Sequence, residues 1–426
     1  MAGSSSRLKI DLFIGLALRG AGAVSSFALA WLMAQLFGAR VVGLYQIGFT
    51  TATLLGAIAL LGHDLVLVRQ ISPLLRDEKF GESSGLFRAA RWFVVKSGLG
   101  LAMMTAIFAY PLAIFALGEE AAASFIIALS PMVALLPMMR VQNSLLRCQG
   151  DVKLSQSLEG VLYTSLAVAF LGLAWLAVGE LDPLFMPIAV IAGQVIAVSI
   201  GYVMVARYLR GWPEGDGSAD PKSGAWIAAP QILTRATPWL ILLMITAAID
   251  ATWAGIFRVA VLICMLMELV WTSFATMTGP YLSRAAEAGD IGQMRKVVLT
   301  AGGIGIVLCS PVGLVVILAP EWVLSLFGDE FVVGAMALQL LALAEIFNVL
   351  AGPLGIALVM QNREHLPLYN EVVASVGGLV VAVLLLPSWG IAGAAMGMLV
   401  ASVLRNGANA AFMYFTMPAA SLQKAT

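Results

Sequence analysis

Charge is what this 426-residue sequence most lacks: only 11% of its residues are Asp, Glu, Lys or Arg, while 61% are hydrophobic. A soluble globule carries roughly a quarter of its residues as charges to hydrate its surface, so that class is excluded. The mean hydropathy of +0.95 places the chain in a bilayer. Cysteine is scarce as well. Cys148, Cys264 and Cys309 are isolated and odd in number, which argues against a disulfide framework or a cysteine metal site and leaves them as small core residues. The only two histidines, His63 and His365, stand far apart with no partner at ligand spacing, so a solvated or capping role is expected and no metal. Short alternating apolar and polar segments are also missing, which argues against a transmembrane β-barrel. The 24 basic and 24 acidic residues cancel, so net charge says nothing about partners; nucleic acid is not expected among them.

What the sequence does contain is a succession of apolar runs of about 20 residues or more, each able to cross roughly 30 Å of hydrocarbon as a helix. After a polar tail, Met1 to Lys9, spans are expected near residues 10–37, 41–68, 92–117, 124–146, 155–178 and 184–206. The first run is too long for a signal peptide, carries Arg19 and is followed at once by another, so it reads as a retained helix. One stretch has linker composition, RGWPEGDGSADPKS from Arg210 to Ser223. Spans then resume near 230–249, 252–283, 297–319, 332–360, 366–386 and 391–417. The fold class expected is an all-α polytopic membrane protein of about 12 transmembrane helices. It divides into an N-terminal lobe at 1–206, a cytoplasmic linker at 207–229 and a C-terminal lobe at 230–426.

The two lobes read as copies of one unit. Gly43-Leu44-Tyr45 is answered by Gly255-Ile256-Phe257 at an offset of 212, Gln149 by Gln361 and Glu159 by Glu371 at the same offset, and Gly118-Glu119-Glu120 by Gly328-Asp329-Glu330 at 210. Eighteen basic residues, among them Arg69, Arg88, Arg147, Arg235 and Arg284, fall at the even-numbered connections or the termini, and only Arg40 and Arg258 at the odd ones. The positive-inside rule then puts both termini in the cytoplasm. With an even number of spans per half, the repeats are parallel, and a cleft between the lobes is the expected place for a substrate. The basic segment from Arg69 to Arg91 is expected to lie on the anionic cytoplasmic leaflet.

Several segments carry a resemblance. GARVVGLYQIGFTTATLLGAIALLGHDLVLVRQI resembles the G-x-x-x-x-G-L-Y … G-L-x-x-x-x-V-R start of the polysaccharide-export flippases, the Wzx-like branch of the superfamily that also contains the MATE antiporters and the lipid II flippase. GPYLSRAAEAGDIGQMRKV, LFGDEF and PSWGIAGAAMGMLVAS are similar to later motifs of that family, in the same order. One departure is the short interval between Asp250 and Gly255, where the family usually carries an extra turn and loop. The resemblance implies a MATE-like fold of two V-shaped lobes around a central cavity. It also implies a monomeric carrier in the bacterial inner membrane that moves an undecaprenyl-diphosphate-linked oligosaccharide to the periplasmic leaflet, for O-antigen, exopolysaccharide or capsule synthesis, without a cofactor.

A diphosphate needs a hydrated cationic cavity to cross hydrocarbon. Four basic residues lie away from the loops: Arg19, Lys96, Arg140 and Arg405. Each central charge costs about 2.5 to 3.5 kcal/mol on insertion scales, so none is expected to face lipid. Arg19 and Arg140, helped by Arg405 and Lys96, are the expected substrate-binding residues, guanidinium being suited to bidentate phosphate contact. The competing reading is structural ion pairing, with Glu268 or Glu345 as partner of Arg405; the first half offers no comparably central acid, Asp64 and Glu159 lying nearer the cytoplasmic end, where Glu159 and Glu371 suit helix-start roles. Glu268 and Glu345 are also candidates to carry a coupling H+ or Na+. Two alternatives remain open: a cation-coupled drug or metabolite antiporter of the MATE kind, which would want acids in its cavity, and a polytopic enzyme acting on the same lipid, for which the sequence shows no catalytic loop or motif.

Overall fold

The computed structural model describes residues 2–216, 221–361, 363 and 365–416. Among these the chain is helix joined by short turns, with no strand. Its contacts divide it into two compact units, Met1–Trp239 and Leu240–Thr426. The first holds α1 (Ala2–Leu60), α2 (His63–Arg76), α3 (Phe80–Pro111), α4 (Ala121–Leu129), α5 (Met132–Cys148), α6 (Val152–Gln156), α7 (Tyr163–Val178), α8 (Phe185–Leu209) and most of α9 (Pro221–Ala248). The second holds α10 (Ala251–Glu287), α11 (Ile291–Leu318), α12 (Pro320–Ser325), α13 (Ala335–Ala351), α14 (Leu354–Val359), α15 (His365–Trp389) and α16 (Ile391–Ala411).

Eleven helical segments among the described residues are long and apolar enough to cross a membrane. The first of them, Gly20–Leu60, runs 41 residues, about 60 Å as continuous helix and so two bilayer crossings. It breaks at Gly38, whose φ of 76° is open to a residue without Cβ. Counted as two passes, it brings the total to the twelve expected from the sequence. The outer faces are apolar, as on α3, where Trp92, Leu99, Met103 and Ile107 are exposed in one stripe.

The second pass stops at Leu60 and does not continue to residue 68. Leu61 and Gly62 turn with positive φ, and α2 starts afresh at His63. The His63 ring is buried, with Nδ1 2.9 Å from the Leu60 carbonyl oxygen and its face stacked on Phe93. Of the two roles expected for it, the capping one holds and the solvated one does not. Asp250 explains the short interval before Gly255: its carboxylate accepts from the backbone N–H groups of Thr252 and Trp253 and caps α10 directly.

The boundary between units falls inside α9 and not in the polar stretch at 207–229. The early turns of α9 pack into the first unit, where Trp239 donates its indole N–H to Thr51 Oγ1 at 2.9 Å. Residues 212–214 fold back on the start of α3, through Trp212 against Phe80, Ser84 Oγ to the Pro213 carbonyl, and Arg88 to Glu214 at 2.7 Å.

In the second unit α15 and α16 approach closely through small residues, the usual means of helix association in lipid. A Cβ on Gly378 would sit 2.6 Å from the Gly397 carbonyl oxygen, and one on Gly397 2.5 Å from that of Gly378. Gly397→Ala should therefore lower stability by about 1–3 kcal/mol, read as a reduced Tm of the purified protein in detergent. An unchanged Tm would show that the two helices are not in contact at this point.

Candidate functional site

The first unit encloses a cavity of about 170 Å³ walled by α1, the start of α2, α5, the π-helical turn Ser157–Leu162, the start of α7 and the early turns of α9. Phe49, Met132, Met139 and Ile232 give it apolar walls, and Asp64, Arg140, Glu159 and Arg235 bring four charges to it. Local structure explains their meeting. Arg140 sits on α5 two turns before Arg147, so both reach the same face. The Leu61–Gly62 turn swings Asp64 toward that face, and Ser144 Oγ, bonded to the Asp64 carbonyl at 2.8 Å, fixes α2 against α5. Beneath lies a core of Leu67, Ile71, Phe87, Val141, Leu145 and Leu158.

Arg140 stands between the two carboxylates. Its Nη1 is 3.5 Å from Asp64 Oδ2 and its Nη2 3.3 Å from Glu159 Oε1. Both distances exceed the roughly 2.7–2.9 Å of a charge-assisted hydrogen bond. The Arg140 side chain keeps 32% of its surface accessible, against 8% for Asp64 and 25% for Glu159. Glu159 is held more tightly from the other side, its Oε2 accepting from Arg147, which also donates to Ser155 Oγ at 3.0 Å. Arg235 faces the same cavity within electrostatic range of Arg140, Asp64 and Glu159. Its Nη1 donates to the Gln231 carbonyl one turn back, at 3.2 Å.

Several expectations are corrected by this geometry. Arg235, taken as a loop cation, lies within α9 and lines the cavity. Asp64 and Glu159, set aside as too near the membrane surface, are the partners of Arg140, because α2 turns back and the π-helical turn brings Glu159 round. Gln231 and Arg235, one turn apart at the head of the long apolar run of α9, are the sequence signal that marks its polar face. Lys96 stands apart from the cavity, exposed on the apolar stripe of α3 with Trp92 and Leu99. The side chain of Arg19 lies outside the described residues. Its helix α1 passes the Glu159 turn closely, a Cβ on Gly22 falling 2.8 Å from the Gly160 carbonyl oxygen.

Arg405 belongs to a separate network in the second unit. Its Nη1 pairs with Glu371 at 3.2 Å and its Nη2 donates to Asn348 Oδ1 at 2.8 Å. Asn348 Oδ1 also accepts from Asn406 and Ser402, and its amide reaches Glu345 Oε2 at 3.3 Å. The expected partners of Arg405 were Glu268 and Glu345; the ion pair forms instead with Glu371, and those two acids sit within electrostatic range only. Glu268 is exposed on α10, and Glu345 is half-buried on α13.

No protein-family model and no curated protein matches the sequence. Solved structures do match it over nearly their whole length. One is an inward-facing multidrug-resistance MATE transporter of the MOP superfamily, at a TM-score of 0.78 and 14% identity, covering 96% of this chain and 98% of the other. The chain has the MATE transporter fold. A MOP-superfamily transporter from Pyrococcus furiosus, described by the reverse polarity of its binding pocket, aligns at 0.67 and 15% identity over 97% of this chain and 95% of the other. An outward-facing MATE transporter aligns at 0.65 and 15% identity with the same coverage, 97% and 95%.

The second-unit network is a structural device in this MATE-like fold. Arg405→Gln should lower stability by about 1–3 kcal/mol, since it leaves Glu371 and Asn348 without their charged donor. Tm in detergent reads the effect, and a Tm equal to the parent's would show that the network contributes nothing to the packing of α13, α15 and α16.

Proposed function

We propose that this chain is a membrane transporter whose substrate carries a lipid-linked diphosphate, an undecaprenyl-diphosphate-linked oligosaccharide moved from the cytoplasmic to the periplasmic leaflet of a bacterial inner membrane by alternating access. The observation that carries this reading is the pair Arg140 and Arg235 facing one cavity within the membrane-spanning helices. Two guanidinium groups in a partly apolar recess suit a diphosphate, which offers several oxygens to bidentate donors. The lipid tail stays in the bilayer while the charged head is sheltered. The motif resemblance points the same way, and the MATE-like fold supports a membrane transporter. Arg140 and Arg235 take the binding role, with Arg19 on the neighbouring helix a further candidate; Arg405 and Lys96 leave that set, one engaged in a structural network and the other directed outward. Glu268 and Glu345 remain the candidates to carry a coupling H+ or Na+.

A second reading, a cation-coupled antiporter of drugs or metabolites, is favoured by Asp64 and Glu159 in the same cavity, since carboxylates attract organic cations. Arginine variants separate the two. Arg140→Gln and Arg235→Gln, each expressed at the parent's level, should fail to complement a strain lacking its lipid-linked oligosaccharide flippase, with polysaccharide export reduced at least about tenfold, the loss of one charged contact of 1.5–3 kcal/mol. Full complementation by both variants would remove the diphosphate reading. Carboxylate-dependent efflux of cationic drugs would install the antiporter in its place.

A further inference from the structure

We infer that Glu159 and Asp64 hold the place of the substrate's anion on Arg140 in the empty carrier, and that Arg147 is the residue that draws Glu159 away when the substrate arrives. The inference rests on the diphosphate reading and names the groups that set affinity at that site.

Charge balance comes first. Among the described residues two arginines and two carboxylates face the cavity, so their charges sum to zero when all four are ionised. A diphosphate entering this arrangement unchanged would face two fixed negative charges at close range, and like charges in a recess of low dielectric repel strongly. Affinity therefore depends on where the carboxylates go.

The geometry supplies an answer for Glu159. Its two oxygens serve different arginines: Oε1 lies 3.3 Å from Arg140, while Oε2 accepts a close hydrogen bond from Arg147. Arg147 does not line the cavity and is itself anchored, its Nε donating to Ser155 Oγ at 3.0 Å. The contact that faces the cavity is the loose one, and the contact behind it is the tight one. Giving up Arg140 thus leaves Glu159 still paired. Asp64 is placed differently. It is almost fully buried, its Oδ2 stands 3.5 Å from Arg140, and its Oδ1 has no hydrogen-bond partner among the described residues. Asp64 makes its ion pair among the described residues with Arg140 and has no counterpart of Arg147 behind it, so its charge stays in the cavity and opposes an entering anion. Ion pairs longer than a charge-assisted hydrogen bond exchange readily for a phosphate oxygen. Arg235 completes the arrangement, since its Nη1 donates to a carbonyl in its own helix and its charge faces the same space.

Two kinds of variant with opposite expected signs test this, using full-length detergent-solubilised protein and undecaprenyl diphosphate as the probe. Glu159→Gln removes the resident competitor and should tighten the Kd by about tenfold. Arg147→Gln leaves Glu159 with Arg140 alone and should weaken it several-fold, although Arg147 never touches the cavity. Asp64→Asn serves as the second removal of a competing charge and should also tighten binding. A role confined to packing would weaken binding in all three. Equal or weaker affinity in Glu159→Gln and Asp64→Asn, at the parent's Tm, overturns the inference while leaving the diphosphate reading in place. Failure of both to fold overturns it too, by making the carboxylates structural. A parent protein whose probe affinity is absent or indifferent to Arg140→Gln overturns the diphosphate reading and the inference together.

Discussion

A guanidinium group between two carboxylates, inside a helix bundle built for lipid, is the constraint on which the first unit depends. Arg140 cannot be left bare in hydrocarbon, and removing a charge from water without compensation costs far more than any packing gain around it recovers. The surrounding structure is arranged to answer that need. The left-handed turn at Leu61 and Gly62 ends the second pass early and turns Asp64 inward, the π-helical turn at Ser157–Leu162 presents Glu159, and the early part of α9 adds Arg235. The turn at Leu61–Gly62 and the π-helical turn both sit beside a carboxylate that meets Arg140. The partial exposure of Arg140 and its long contacts keep it available to a ligand, which a fully hydrogen-bonded pair would not.

The two units treat the same repeated position differently. Glu159 and Glu371 correspond at the 212-residue offset, and each meets an arginine, but the arginine comes from α5 in one unit and from α16 in the other. Around Arg405 the polar atoms satisfy one another: Asn348 Oδ1 alone accepts from Arg405, Asn406 and Ser402. Arg405 is about as exposed as Arg140, 29% against 32%, and its 3.2 Å pair with Glu371 is also long; what sets it apart is the Asn348 amide that ties it to α13. Around Arg140 the bonds are long and a cavity opens beside them. The repeated glutamate thus borders an open cavity in one unit and joins an internal polar network in the other.

The sequence made the scaffold legible and the site only in part. Apolar runs of bilayer length are a strong signal because nothing else explains them, and they mark the helices, while landmarks at a near-constant offset mark the repeat. The break at Gly38 was visible as a boundary between two runs. The charges were harder to read, because hydropathy averages over a window and cannot tell a cation inside the first turns of a helix from one in the preceding loop. Arg235 was misplaced for that reason. Asp64 and Glu159 were set aside by their distance from mid-membrane, a one-dimensional measure that ignores a helix turning back or an extra residue inserted into a turn. Arg140, expected to bind substrate, stands on the cavity wall between two carboxylates, while Lys96, expected within snorkelling reach of the membrane surface, lies on the outer stripe, a distinction that depends on helix rotation and not on depth.

The central claim is that a membrane-embedded pair of arginines receives a lipid-borne diphosphate. The most direct measurement is translocation of a fluorescently labelled undecaprenyl-diphosphate-linked saccharide in proteoliposomes, comparing the parent chain with the Arg140→Gln/Arg235→Gln double variant reconstituted at equal density. The account predicts protein-dependent translocation by the parent that falls to the protein-free rate in the double variant. Translocation at the same rate by both, or none by the parent alongside uptake of an organic cation, would contradict it.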